Sequence, residues 1–158
     1  MIVISDTSPL CYLILIGEIN LLPQLYGEVL IPQIVQQELS HNRSPIEVRN
    51  WINNPPDWLK VDAVIVTFNP ALELIDPGEQ AAIILAQQKQ ADLIIIDDYF
   101  ARQIAQNYGL KVTGLLGVLD EAARQNLIDF PQVIASLKQT SFRVSKSMIE
   151  SLLQKYQS

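Results

Sequence analysis

Apolar positions along this 158-residue chain fall into two patterns. The first is the short unbroken run: Ile2-Val3-Ile4, Val29-Leu30-Ile31 and Leu93-Ile94-Ile95-Ile96. None alternates with polar residues. A strand with one wet face alternates, whereas a strand covered on both faces does not, and such strands belong to parallel sheets. Leu59–Val61 and Lys111–Val112 predict two shorter strands. The second pattern has helical spacing and fills the intervals. Ser8 as N-cap and Pro9 at the first helical position predict a helix to about Ile16. Pro32 opens another through Leu39, and Pro45–Asn53 is a third, stopped by Asn54-Pro55-Pro56. Asp76-Pro77-Gly78-Glu79 starts a long one through about Lys89, with the spacing of a capping box. Tyr99–Asn107 follows, with Gly109 as its left-handed cap. Leu115–Asn126, Phe130–Gln139 and Ser145–Tyr156 complete the set. Strands alternating with helices predict an α/β sandwich around a central, mainly parallel sheet. At roughly 150 residues per domain, residues 1–158 form a single domain.

In such sheets the ligand site lies beyond the C-terminal strand ends, and acids stand at two of these ends. Asp6 directly follows the first strand, and Asp97-Asp98 follows the most apolar one. Two helices add to them. Glu38 shares the apolar stripe of its helix with Ile34, while Gln33, Gln36 and Gln37 take the polar face. Glu79 has Ala82, Ile83 and Ala86 three, four and seven residues on, so it too begins a buried stripe while serving as a capping residue. If the first and fourth strands are neighbours, these five carboxylates converge on one edge. Like charges gathered there need a counter-charge. Arg102, one turn beyond Asp98, is one candidate and a metal is another. His41 follows Glu38 in a polar loop and reads as solvated. Oxygen ligands without histidine or cysteine select Mg²⁺ or Mn²⁺ rather than zinc, and paired ions of this kind suit phosphodiester hydrolysis.

Composition narrows the field. The net charge of −6 argues against a broad basic face for nucleic acid, although a bound cation would reverse the sign locally. One cysteine, Cys11, excludes an internal disulfide framework and fits a reducing, cytoplasmic setting. No apolar run reaches the ~20 residues needed to span a bilayer. The opening MIVISDTSPL has no basic region of the kind that begins a secretory signal.

With its acids in this order, the chain resembles the PIN-domain family of metal-dependent ribonucleases. It is most similar to the single-domain prokaryotic members found as toxins of VapBC-type toxin–antitoxin pairs. Val3-Ile4-Ser5-Asp6-Thr7-Ser8-Pro9-Leu10 resembles the family's first strand and turn. Gly27–Pro32 through Glu38-Leu39 resembles the second strand and the helix bearing the second acid; Asp76–Glu79 through Ala86 resembles the helix bearing the third. Leu93–Asp98 with Arg102 resembles the strand that ends in the fourth. The resemblance covers roughly residues 1–125. It implies a PIN-like three-layer α/β/α sandwich and an Mg²⁺- or Mn²⁺-dependent endoribonuclease. Asp6, Glu38 and Asp98 would hold metal, with Asp97 as a supplementary ligand. Glu79 would be catalytic, and Thr7 or Ser8 would orient the first carboxylate. Arg102 would contact phosphate. The implied partners are an RNA substrate, an antitoxin protein and a second copy of the chain. Met148, Ile149, Leu152, Leu153 and Tyr156 give the last helix an apolar face, either packed on the core or offered to such a partner.

Two other classes remain. A receiver- or phosphatase-like domain also uses an acidic Mg²⁺ pocket. Thr113 suits it, but no matching lysine follows a further strand, and Ser8 stands where a phosphatase motif wants an acid. The other class is a PIN-fold binding or assembly module without catalysis.

Overall fold

The computed structural model describes residues 1–65, 69–143 and 145–156. Its elements run β1 (Val3–Ser5), α1 (Thr7–Leu15), α2 (Leu21–Tyr26), β2 (Val29–Pro32), α3 (Gln33–Leu39), α4 (Ile46–Asn53), β3 (Leu59–Asp62), a 3-10 turn (Pro70–Leu72), α5 (Pro77–Lys89), β4 (Leu93–Ile95), α6 (Tyr99–Asn107), β5 (Val112–Thr113), α7 (Leu115–Arg124), α8 (Phe130–Lys138) and α9 (Lys146–Lys155). The five strands pair in parallel in the order β3-β2-β1-β4-β5. On the central strand, Ile4 lies opposite Leu30 on one side and Ile94 on the other.

Successive strand residues point to opposite faces, and both faces are covered. Val3, Val29, Ile31 and Ile95 enter one core with residues of α1, α2, α4, α7 and α8. Ile4, Ile94 and Ile96 enter a second core beneath α5 and α6. Val3, Ile4, Ile94 and Ile95 are fully buried, which is why their runs carry no polar alternation. The result is the expected three-layer α/β/α sandwich. No helix among the described residues is long and apolar enough to cross a membrane.

Several boundaries differ from the sequence reading. β1 is Val3–Ser5, one residue later than expected, and α1 starts at Thr7. Ser8 is therefore inside the helix and does not cap it. Asp6 holds the N-cap position with an extended backbone but makes no capping hydrogen bond. α2 was not foreseen, because Pro23 interrupts a short stretch; as the third helical residue it gives up no intrahelical bond. α7 ends at Arg124, and Asn126 turns left-handed (φ 61°) to close it. Gly109 does take the left-handed cap after α6 (φ 81°).

The last helix lies on the core. Ile149 is buried, and Leu152, Leu153 and Tyr156 pack against the first core; Met148 alone of the apolar face stays half exposed. The Tyr156 ring sits 4.9 Å from that of Phe130. Its hydroxyl donates to the Asp120 carbonyl at 3.0 Å and to the Asp120 carboxylate, which also receives Lys155 Nζ at 3.0 Å.

Candidate metal centre

The strand order reverses between β1 and β4, which is where an open α/β sheet leaves a crevice beyond its strand ends. Asp6 and Asp97-Asp98 are the residues that leave those two strands. The Asp6 amide still donates to the Ile95 carbonyl at 2.9 Å, so the backbone fixes Asp6 against β4 before its side chain is considered.

Three acids meet beside it. Asp6, from the end of β1, Glu38, from the last turn of α3, and Asp76, from the start of α5, each offer a carboxylate oxygen, and these oxygens lie within 4.8 Å of one another. Asp6 is buried, 4% exposed, and its Oδ1 has no hydrogen-bond partner. Burial pushes its carboxyl well above the usual range; the Thr7 amide opposes this, and the charges of Asp76, Glu79 and Glu38 add to it. Burial also raises Glu38, against the hydrogen bond it accepts at 2.5 Å from Thr7 Oγ1. Glu79 is held at about 7, first by burial and then by the negative charges of Asp76 and Asp98. The cluster is thus a pocket of anions with too few donors, and one buried oxygen in it is aimed at nothing. A hard dication answers that deficiency with oxygen ligands alone, so the donor set fits Mg²⁺ or Mn²⁺.

Asp76 was assigned only a capping role by its sequence position, yet it belongs to the triad. It does cap: Oδ1 accepts from the Glu79 amide at 2.8 Å, while Glu79 Oε1 accepts from the Asp76 amide at 3.0 Å. A carboxylate has a second oxygen, so capping does not exhaust it. The signal in the sequence was two acids three residues apart at a helix start, a pattern that the capping box alone accounts for. Glu79 itself is nine-tenths buried beside the triad, with one oxygen tied into the capping box.

The adjacent aspartates part company. Asp97 is half-buried and structural in its contacts: Oδ1 accepts from the Leu115 amide at 2.8 Å, capping α7, and Oδ2 accepts from Ser8 Oγ at 3.2 Å. Burial raises its carboxyl, while those two donors and the nearby Arg102 guanidinium lower it. Arg102 therefore stands beside Asp97. Ser8 reaches Asp97 rather than the first carboxylate. Asp98 is exposed, caps α6 by accepting from the Ala101 amide at 3.0 Å, and carries its charge toward Glu79. The Thr7 hydroxyl holds Glu38, and only the Thr7 amide bears on Asp6. His41 lies in the loop after α3, its Nδ1 accepting from the Arg43 amide at 3.0 Å.

The fold is similar to that of a PilT N-terminus domain protein from the hyperthermophilic archaeon Sulfolobus solfataricus P2. The TM-score is 0.50 and the identity 15%, over 92% of this chain and 100% of that one. No match was found among curated proteins. A family model described as a PIN domain matches residues 2–158. With the match spanning almost the whole sequence, and with acids gathered where the parallel sheet reverses its order, the chain belongs to the PIN-domain family, whose members are typically metal-dependent nucleases.

Proposed function

We propose that the protein is an Mg²⁺- or Mn²⁺-dependent endoribonuclease that hydrolyses RNA phosphodiester bonds. The observation that carries this reading is the triad of Asp6, Glu38 and Asp76, with its unpartnered buried oxygen. These three would hold the ion, and Asp98, whose charge bears on Glu79, would be a further acid for it. A bound ion would supply Lewis acidity, drawing charge from the phosphate under attack and making water acidic enough to react near neutral pH. The chain's own groups do the rest. Thr7 Oγ1 fixes the Glu38 carboxylate by hydrogen bonding. The capping box orients Asp76 and Glu79 together at the start of α5. Glu79, buried beside the triad with one oxygen tied into the capping box, would be the carboxylate that accepts a proton from the attacking water. Arg102, turned to the Asp97 side of the crevice, is the nearby cation for a substrate phosphate.

Incubation of the purified chain with mixed RNA tests this. Cleavage is expected with Mn²⁺, and none with EDTA or with Asp6→Asn; cleavage that survives both overturns the mechanism. The narrower reading, that the protein is the toxin of a type II pair, rests on the resemblance of its motifs to VapC-type members. It predicts growth arrest on expression, relieved by Asp6→Asn. Arrest that persists in the variant excludes a toxin acting through this site.

A further inference from the structure

The residues between Asp129 and Glu150 include no acid and three of the chain's eleven cations, Lys138, Arg143 and Lys146. All three are exposed, and among the described residues none of them makes an ion pair. Together they line a cavity of about 530 Å³ at the corner between α8 and α9, over a floor of Leu137, Phe142 and Ile149. The chain carries a net charge of −6, yet every charged residue lining this cavity is a cation. Lys146 adds a separate signal. It is the first residue of α9, where the helix dipole disfavours a cation, so helix stability does not account for it.

A second cavity, of about 390 Å³, connects this corner to the metal centre. It shares Phe142 and Arg143 with the first and reaches Asp97 and Arg102, just past the end of β4. Short contacts set how near that is to the acid cluster. Asp97 Oδ2 accepts from Ser8 Oγ, two residues after Asp6, at 3.2 Å. The Asp6 amide donates to the Ile95 carbonyl, two residues before Asp97, at 2.9 Å. Two acids line this second cavity, and the chain's own donors already hold both. Asp97 accepts from Ser8 and the Leu115 amide, and Asp120 accepts from Lys155 and Tyr156. Arg102 and Arg143 are its cations.

We propose that Arg102, Arg143, Lys146 and Lys138 form a phosphate track, which binds the RNA backbone flanking the scissile bond as it leaves the acid cluster on the β5 side. This rests on the nuclease reading above and adds to it a second binding region, remote from the acids. Charge and continuity both favour a polyphosphate backbone over an acidic peptide. A strand with one phosphate at the acids carries its next phosphates away over the surface, and most of an acidic surface repels them. The two joined cavities give those phosphates a cationic route that starts beside the metal centre. An acidic peptide seated at the α8–α9 corner would make no use of the connection to Arg102. Arginine and lysine contacts to phosphate carry no sequence information, so the track would add affinity and register without choosing bases.

The test is binding of a long fluorescent oligouridylate and of a trinucleotide to the full chain across a range of salt, with Ca²⁺ in place of Mn²⁺ to hold cleavage back. Joint replacement by Lys138→Gln, Arg143→Gln and Lys146→Gln should weaken the long strand by about tenfold or more and flatten its plot of log affinity against log salt by about 2, at about 0.7 per lost phosphate contact. The trinucleotide, too short to leave the acid cluster and reach the corner, should bind as before. Lys138→Arg, Arg143→Lys and Lys146→Arg together should keep the wild-type slope. Lys60→Gln with Lys111→Gln, which remove charge from β3 and from the start of β5, should change it little. All the replaced residues are exposed, and an unchanged circular dichroism melt verifies folding. An unchanged slope, equal weakening of both strands, or the same loss in the Lys60 and Lys111 pair overturns the proposal. So does a triple glutamine variant that keeps wild-type RNA affinity but loses binding of oligoglutamate, which would assign the corner to an acidic peptide. The two readings fail separately. Track-dependent binding of the long strand without metal-dependent cleavage refutes the nuclease and keeps the track. A triple glutamine variant that cleaves the long strand in Mn²⁺ with wild-type KM does the reverse.

Discussion

Glu38 and Gly78 approach so closely that a Cβ built on residue 78 would overlap the Glu38 carboxylate. Gly78 is the second residue of α5, between the Asp76 cap and Glu79, with ordinary helical backbone. Its lack of a side chain is therefore a matter of space, not of backbone freedom. Alanine would favour the helix by roughly 0.5–1 kcal/mol but must push the Glu38 carboxylate aside, away from Asp6 and Asp76. Gly78→Ala should melt at or slightly above the wild-type temperature in EDTA while its Mn²⁺ affinity falls by about tenfold or more. Calorimetric titration beside thermal melts checks this. Wild-type affinity would show that Glu38 is not held for an ion.

Asp6→Asn should separate stability from function in the same direction. Asp6 is buried among like charges and one of its oxygens has no donor. Removing its charge relieves the repulsion with Asp76, Glu79 and Glu38, so the metal-free variant should gain about 1 kcal/mol, or about 2–4 °C in Tm. Metal-induced stabilisation and RNA cleavage should both be lost. A variant that melts below the wild type in EDTA would mean that the carboxylate is held by donors of its own.

The metal-free protein should lose stability as pH rises. Asp6, Glu38 and Glu79 all have carboxyls raised above their ordinary values, Glu79 to about 7. The folded state then holds these protons more tightly than the unfolded chain does. That contribution is fully present below the ordinary carboxylate range and is lost as pH climbs through about 7. In EDTA, Tm should fall between about pH 5 and about pH 8. A fixed Mn²⁺ concentration, set at a hundred times the Kd near pH 7, should restore about 2.7 kcal/mol there, with a larger gain at higher pH and a smaller one at lower pH, because the ion competes with protons for the same oxygens. Melts with and without Mn²⁺ across this range measure it; curves that run parallel would rule out an ion binding to the titrating acids.

The parts of this centre legible in the sequence were those dictated by strand burial. Ile2–Ile4 and Leu93–Ile96 could only be buried strands, and an acid that ends a buried strand must lie at the sheet's edge. That reasoning led to Asp6 and to the 97–98 pair. Glu38 was legible because its neighbours Ile34 and Val35 put it on the inner stripe. Asp76 was not, because one local role, the cap, fully accounted for it; only the sheet order shows that the start of α5 faces the β1 crevice. The split between Asp97 and Asp98 was illegible for a similar reason. It depends on the α7 amide of Leu115, 18 residues away in sequence, which claims one of the two. Ser8 was misassigned as a cap because Ser-Pro has that signature, while its hydroxyl is taken by Asp97.

That split supplies the last prediction. Asparagine keeps the acceptor oxygen of aspartate and caps a helix about as well, so Asp→Asn removes charge while leaving each cap. Asp97→Asn can still accept from the Leu115 amide, and the charge it loses faces Arg102 rather than the triad. Its Tm should stay within about 2 °C of the wild type, and its Mn²⁺ affinity should change by less than about threefold. Asp98→Asn should also keep its Tm, since the Ala101 amide keeps its acceptor. It removes the exposed negative charge that bears on Glu79, so Mn²⁺ affinity and cleavage should drop by about tenfold or more, and the pH at which Glu79 titrates should move down. Titration calorimetry on the two single variants, with an NMR titration of the Glu79 side chain, decides the matter. A larger loss of affinity in Asp97→Asn than in Asp98→Asn would reverse the assignment and make the α7 cap a metal ligand.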